Sequence, residues 1–192
     1  AGGVIHITLK KQALEGVNGS LAVNYIQGKY AGWSPSGNVN YKRDRWSITE
    51  LWEGVLEVRE IRDVFTGREI VPKQYDVDHF IPWSFVMNDE LWNLMPMESS
   101  LNSSKSNRLP KWNPFFKDFA YNQYILYGMI HENANIHKIF EVCYGDNLHS
   151  IWAGQELYRK GNTEEEFYNI LEKNMLPVYE SARRQGYEIW EY

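Results

Sequence analysis

The chain has 192 residues, of which 43% are hydrophobic, and its formal net charge at pH 7 is −5. This length allows one large domain, or a small domain with an appendage, and is enough to bury a hydrophobic core. No apolar run approaches the roughly 20 residues that a bilayer-spanning helix needs, which excludes a membrane protein of that kind. The single cysteine, Cys143, fits a reducing compartment, so we expect a cytoplasmic protein.

The first 45 residues are predicted to be β-leaning and rich in loops. Apolar residues alternate with others over residues 4–9, which is typical of a strand, and turn-forming residues are frequent over residues 28–40. His6 lies in this strand among apolar neighbours, and we interpret it as structural.

A helix is predicted next, over residues 48–62. Ser47 and Glu50 have the spacing of a capping box, in which each side chain accepts a backbone N–H at the start of a helix. The apolar residues that follow recur at helical spacing and predict one buried face: Ile48, Leu51, Trp52 and Val55.

The most informative segment lies between residues 75 and 110. It contains Asp76-Val77-Asp78-His79, followed by Pro82, Ser84 and Phe85, and then by Asn93, Asn102, Lys105 and Pro110. Each piece occurs by chance in many proteins, but their order and spacing together are specific. The segment resembles the HNH endonucleases, most closely the HNH nuclease domain of Cas9. The ββα-metal fold of that family cuts nucleic acid with one divalent cation.

The resemblance implies a ββα unit in this segment. The implied elements are a strand over residues 73–81, a loop over 83–92, a return strand over 94–97 and a helix over 98–108. Pro96 has no backbone N–H, so the return strand should lie at a sheet edge. Adjacent strand residues point to opposite sides, so we expect a bulge or bend that brings Asp78 and His79 to one site.

The resemblance also implies the roles of the site residues. Asp78 and Asn102 would supply oxygen ligands to the metal, and His79 would be the general base. Asn93 would hydrogen-bond the loop backbone and hold the geometry. Asp76 has three open roles, which are orienting His79, adding to the metal or facing solvent. The residues expected to contact phosphate are Lys105, Arg108 and Lys111.

Two departures from the family pattern bear on the metal. Many relatives hold the unit together with zinc bound by two Cys-x-x-Cys pairs, which a chain with one cysteine cannot supply, so no structural zinc is expected. Asn102 stands where other members carry His, which makes a hard oxygen site and favours Mg²⁺ or Mn²⁺. The apolar residues expected to substitute for the zinc-binding turn are Val64, Phe65 and Ile70.

Residues 113–192 are predicted to be mainly helical and packed on the core. Thr163 and Glu166 form a second capping box, and the helix that it opens should be kinked or ended by Pro177. The other predicted helices cover residues 115–130, 136–144 and 148–160. The histidines of this region are interpreted as structural: His131, His137 and His149.

The net negative charge is the main objection to a nucleic-acid enzyme, because phosphate contacts normally come from Lys and Arg. Basic residues nevertheless cluster beside the motif, at Lys105, Arg108, Lys111 and Lys117. We therefore expect modest affinity for DNA, with targeting supplied by other domains or subunits.

The sequence as a whole predicts an α+β fold with three parts. These are a β-leaning segment over residues 1–45, an HNH ββα-metal nuclease core over 46–112 and a helical region over 113–192. The predicted function is a metal-dependent DNA endonuclease of a bacterial or phage defence, restriction or RNA-guided system, with RNA left open as a substrate.

Two other functions compete with this one. The chain could be a catalytically silent interaction domain that docks a partner through the ββα scaffold and the aromatic helical tail. A secreted DNase toxin is the third hypothesis. Such toxins are usually strongly basic and use a His-rich metal site, so the net charge and Asn102 count against it.

Overall fold

A computed structural model describes residues 17–26, 32–41 and 45–192, and the chain divides into two compact units between residues 43 and 44. In the first unit, strands β1 (Val17–Ile26) and β2 (Gly32–Tyr41) pair antiparallel. The strand predicted over residues 4–9, with His6, lies outside the described residues.

Strand β2 corrects part of the prediction, because it runs through residues where Ser, Pro and Gly indicated a turn. Pro35 is paired with Val23 in the middle of β2. The described sheet has only two strands, so β2 has a free edge at which the missing N–H of a proline is tolerated.

The second unit combines helices with a second two-stranded antiparallel sheet, which is compatible with the predicted α+β class. A 3₁₀ turn over Leu91–Asn93 and a π-helical turn over Ala153–Leu157 complete it. Its elements in chain order are α1 (Arg45–Leu56), β3 (Asp76–His79), α2 (Trp83–Val86), β4 (Leu94–Met97), α3 (Ser99–Lys105), α4 (Trp112–Glu132), α5 (Ala134–Asn147) and α6 (Glu164–Arg184).

Strands β3 and β4 and helix α3 occur in the predicted β–β–α order, and the short helix α2 and the 3₁₀ turn lie in the connection between the two strands. Asp78 lies opposite Met95 and His79 opposite Leu94. The Phe80 N–H donates to the Asn93 carbonyl at 2.8 Å, which continues the ladder beyond β3. The bulge or bend predicted here is therefore wrong: the pairing is regular, and neighbouring side chains face opposite sides.

Helix α3 is shorter than the helix predicted over residues 98–108. It ends at Lys105, and Ser106 turns the chain away with a φ of 50°. The Arg108 guanidinium donates back to the carbonyls of Ser104 and Lys105, so the last turn is capped by a side chain.

Helix α1 begins earlier and ends earlier than predicted. Its four periodic apolar residues are buried as predicted, and it packs against α5. The helix starts at Arg45, however, so Ser47 lies inside it and does not cap it. The Ser47 hydroxyl instead donates to Asn147 Oδ1 at 3.4 Å. The tertiary contact with α5 takes the place of the predicted capping box.

The turn that precedes β3 is held by a buried carboxylate. Asp63 Oδ1 accepts the backbone N–H groups of Phe65 and Thr66, both at 2.9 Å. Asp63 Oδ2 accepts the Glu98 N–H at 3.0 Å, which ties this turn to the start of α3. The three residues expected to replace a zinc-binding turn are buried: Val64, Phe65 and Ile70.

The C-terminal helices differ from prediction at one place, and at Pro177 they exclude one of the two predicted outcomes. The predicted helix over residues 148–160 is reduced to the π-helical turn and its flanks. Pro177 does not end α6, which continues to Arg184. Buried residues lie on both sides of this proline, so packing outweighs its local cost: Phe167, Leu171, Met175, Tyr179 and Ala182. None of the described helices has the length and apolar composition that crossing a bilayer requires.

The capping box predicted at the start of α6 is present, and its contribution to the free energy of unfolding can be measured. Thr163 Oγ1 accepts the Glu166 N–H at 3.3 Å, and Glu166 accepts the Thr163 N–H at 2.9 Å. We expect Thr163→Ala to lower the free energy of unfolding by about 1 kcal/mol, measured by urea denaturation at neutral pH. Thr163→Ser keeps the hydroxyl and is the matched control.

This contribution should depend on pH. The hydrogen bonds from Thr163 hold the pKa of Glu166 below its usual range. A carboxyl group with a lowered folded-state pKa adds stability above its ordinary pKa, and that stability is lost as the pH falls through the folded value. Thr163→Ala keeps the backbone bond to Glu166 but removes the bond from the Thr163 hydroxyl to the Glu166 carboxylate at 2.9 Å, so the part of the difference that this second bond supplies should shrink in acid. An unchanged difference would contradict the assignment.

Candidate active site

Two acidic residues of β3 face two polar residues of α3. Asp76 and Asp78 are two residues apart and share one side of the strand, while Asn102 and Lys105 are three apart and share one side of the helix. Asn102 Nδ2 donates to Asp76 Oδ2 at 3.0 Å, and Lys105 Nζ donates to Asp78 Oδ2 at 2.8 Å. The structure thus brings four of the predicted site residues together between one strand and one helix.

Lys105 has no exposed surface, whereas 14% of the Asp78 side chain is exposed. The Lys105 ammonium also donates to the His79 carbonyl at 2.7 Å. A buried charge is tolerated when it is paired and hydrogen-bonded, as here. This placement differs from the predicted phosphate contact, because the ammonium group points inward to the acid.

The His79 imidazole points to the other side of β3 and meets a residue that sequence reasoning missed. Its Nε2 atom lies 2.9 Å from Asp89 Oδ1, and 4% of its side chain is exposed. The alignment is poorer than in a normal hydrogen bond, and no other described residue offers this nitrogen a partner. Orienting His79 is one of the three roles predicted for Asp76, but Asp76 contacts Asn102 instead.

Asn93 is completely buried, and its side chain hydrogen-bonds the backbone at the start of the loop that follows His79. Its Oδ1 accepts the Ile81 N–H and its Nδ2 donates to the Ile81 carbonyl, both at 2.8 Å. This is the kind of loop-backbone contact that the sequence predicted. Its importance for catalysis stays a prediction.

The loop that carries Asp89 is also held from the C-terminal region. Asn147 Nδ2 donates to the Asp89 carbonyl at 3.1 Å. Glu90 is buried, and its carboxylate accepts Trp92 Nε1 and Ser150 Oγ, each at 3.0 Å. No sequence signal linked these residues, which lie far apart in the chain and share no periodic pattern.

Arg108 and Lys111 lie beside the site but are already engaged. Arg108 is half-buried at the end of α3, and it borders a groove of about 410 Å³ lined by residues 106–108 and 185–188. Lys111 is half-buried, with 41% of its side chain exposed and Nζ 2.6 Å from Glu191 Oε2. Exposed ion pairs of this kind are weak, so Lys111 can exchange Glu191 for another anion. Phosphate contacts by these two residues stay predictions.

The oxygen atoms of Asp78 and Asn102 are of the kind that a hard divalent cation takes as ligands. Asp78 offers a partly exposed carboxylate, and Asn102 offers an amide oxygen because its nitrogen donates to Asp76. In the part of the chain that the structure describes, no three His, Cys, Asp or Glu side chains are grouped as metal ligands. Mg²⁺ commonly takes one or two protein carboxylates and keeps several waters, so the smaller donor set still suits it.

The C-terminal histidines contact the backbone of the surrounding helices and turns. His131 Nε2 lies 3.0 Å from the Tyr158 carbonyl, and burial lowers the pKa of this imidazole. His137 Nδ1 lies 3.1 Å from the Ile130 carbonyl. The side chain of His149 is exposed. The placements of His131 and His137 agree with the structural interpretation, which stays a prediction for His149.

Residues 63–111 match the family model described as HNH endonuclease. The match covers roughly a quarter of the chain and includes every residue assigned to the site from the sequence. It also includes Asp63 and Asp89. No curated protein and no solved structure matches the chain significantly. The match supports a relationship to the HNH family and a nuclease activity acting on nucleic acid.

Proposed function

We propose that this chain is a divalent-metal-dependent endonuclease that hydrolyses DNA phosphodiester bonds. The observation that carries the proposal is the meeting of Asp76 and Asp78 with Asn102 and Lys105, with His79 next in the chain. The meeting lies within the segment that matches the HNH endonuclease model. The β–β–α order of β3, β4 and α3 is the scaffold expected for such a ββα-metal core.

Asp78 and Asn102 would hold Mg²⁺ or Mn²⁺. The cation, when bound, supplies Lewis-acid stabilisation to the phosphate and to the leaving oxygen. Asp76 accepts the Asn102 amide N–H, which would leave the amide oxygen available to the cation. Lys105 holds the Asp78 carboxylate in position and offsets part of its charge, so we expect the metal to bind with moderate affinity.

His79 would take the proton of the attacking water as general base, which requires its imidazole, placed on the other side of β3 from Asp78, to reach that water. Asn93 fixes the backbone immediately after it by bonding both polar groups of Ile81. Arg108 and Lys111 are proposed to contact DNA phosphates on either side of the scissile bond. These contacts orient the substrate without reading its sequence.

The wider setting that we propose is a bacterial or phage defence, restriction or RNA-guided system in the cytoplasm. A net charge of −5 gives little general attraction to DNA, so other domains or subunits would supply targeting. The closeness to the HNH domain of Cas9 belongs to this proposal, and RNA remains an open substrate.

Cleavage of plasmid, linear and single-stranded DNA, and of RNA, in a series of divalent metals tests the proposal. We expect Mg²⁺ or Mn²⁺ to support cleavage, and His79→Ala to reduce the rate at least about 100-fold because the general base is lost. Circular dichroism should show that the variant is folded, and calorimetry should show that it still binds Mn²⁺.

Two results would contradict the proposal. One is a wild-type protein that cuts no substrate and binds no metal, which would favour the interaction-domain alternative. The other is a His79→Ala variant as active as wild type. Partner binding that needs no metal and survives Asp78→Ala would further support the alternative.

A further inference from the structure

We propose that Asp89 is a positioning residue that sets the tautomer and orientation of the His79 imidazole, and that the C-terminal region holds Asp89 in place. The catalytic part of this inference rests on the proposed function, in which His79 is the general base. The contact between the two side chains does not.

The burial of His79 Nε2 is the first argument. This atom is inaccessible to solvent, Asp89 Oδ1 lies 2.9 Å from it, and no described group makes a well-aligned hydrogen bond with it. A buried N–H without a partner costs about 1–3 kcal/mol. The nearby carboxylate is the group placed to meet this cost, and a small rotation of either side chain would align the bond.

The chemistry of the pair determines the tautomer. A carboxylate can only accept hydrogen bonds, so in a neutral imidazole its nearness favours the proton on Nε2 over a lone pair facing the negative charge. The Nδ1 atom then carries the lone pair, and no described residue hydrogen-bonds to it. The nitrogen that must take a proton from water is thereby the one left free. Catalytic hydrogen bonds are often poorly aligned without substrate, as this one is.

Among the described residues, the other acids of this region have different partners. Asp76 accepts from Asn102, and Asp78 accepts from Lys105 on the other side of β3. Glu90 is occupied by Trp92 and Ser150. Asp89 is the acid that the folded loop directs toward His79.

The anchoring of the Asp89 loop is the second argument. Asn147, at the end of α5, is 1% exposed and donates to the Asp89 carbonyl. The next residue, Glu90, is bonded to Ser150 beyond the same helix. Both anchors lie outside the segment that matches the HNH model. The helical region thus contributes to the geometry of the site although it supplies no reacting group.

Asp89→Asn tests the inference with two independent measurements. The first is ¹⁵N NMR of the imidazole at about pH 8, where an ordinary imidazole is neutral, with the His79 signals assigned by their loss in His79→Ala. The wild type should show the Nε2–H tautomer. The asparagine amide can donate to Nε2 as well as accept from it, so the variant should show a mixture or the opposite tautomer.

The second measurement is single-turnover cleavage of the best DNA substrate. Asp89→Asn should lower the rate constant about 10- to 100-fold, with the substrate concentration for half-maximal rate unchanged. Asp89→Glu, which keeps the carboxylate, should recover part of the rate. Asn88→Ala changes an exposed neighbour in the same loop and should behave as wild type. Asn147→Ala should lower the rate constant less than Asp89→Asn does.

The outcomes separate this inference from the proposed function. A wild type that cuts nothing would end the nuclease proposal, while the NMR measurement would still decide whether Asp89 sets the tautomer. An unchanged tautomer in Asp89→Asn, or an unchanged rate in an active enzyme, would overturn the role of Asp89. A full rate in Asn147→Ala would overturn the anchoring role of α5.

Discussion

Asp78→Ala is expected to abolish cleavage and to lower the free energy of unfolding by about 3 kcal/mol. The carboxylate is the one acidic group bonded to the Lys105 ammonium among the described residues, and that ammonium has no exposed surface. Removing the acid leaves a buried cation without its counter-charge. Urea denaturation measures the loss of stability, and the plasmid assay in Mg²⁺ and Mn²⁺ measures the loss of activity.

A double variant separates the structural role of Asp78 from its chemical role. Asp78→Ala with Lys105→Met removes the unpaired cation, so most of the lost stability should return while cleavage stays absent. Asp76→Ala is the matched control on the same side of β3, where one hydrogen bond from Asn102 is lost at a cost of about 1 kcal/mol or less. A double variant whose destabilisation equals the sum of the two single variants would show that the pair is not coupled.

Asn93→Ala is expected to lower the free energy of unfolding by about 2–4 kcal/mol. The change leaves both the N–H and the carbonyl of Ile81 without their partners in a buried place. It also loosens the loop that runs from Ile81 to Asp89, so the cleavage rate should fall even at temperatures where the variant is folded. Thermal unfolding followed by single-turnover cleavage measures both effects.

Asn93→Asp is the matched variant for this contact. An aspartate can still accept the Ile81 N–H, but when ionised it offers no donor to the Ile81 carbonyl. Its stability should lie between those of wild type and Asn93→Ala. A stability of Asn93→Ala within about 0.5 kcal/mol of wild type would show that water satisfies the Ile81 backbone and that the clamp is unnecessary.

Local patterns in the sequence predicted several elements well. Strand β4 has the predicted limits, the capping box of Thr163 and Glu166 is present, and the apolar face of α1 is buried. Each of these features depends on residues that are close together in the sequence. Where a distant contact competes, the local signal fails: Ser47 bonds Asn147 instead of capping a helix, and packing carries α6 through Pro177.

For the site, the sequence by itself determined which residue types occur and in what order, and this was enough to indicate an acid, an imidazole and an amide around a hard cation. Only the tertiary structure decided which of them meet. Lys105, which was expected to contact phosphate, donates to Asp78. The acid beside His79 is Asp89 and not Asp76. The physical reason is that periodicity reports neighbours within one helix or strand, whereas these contacts join separate elements. The partner of a buried group therefore depends on which distant segment the fold places beside it, and on the need to pair every charge that is buried.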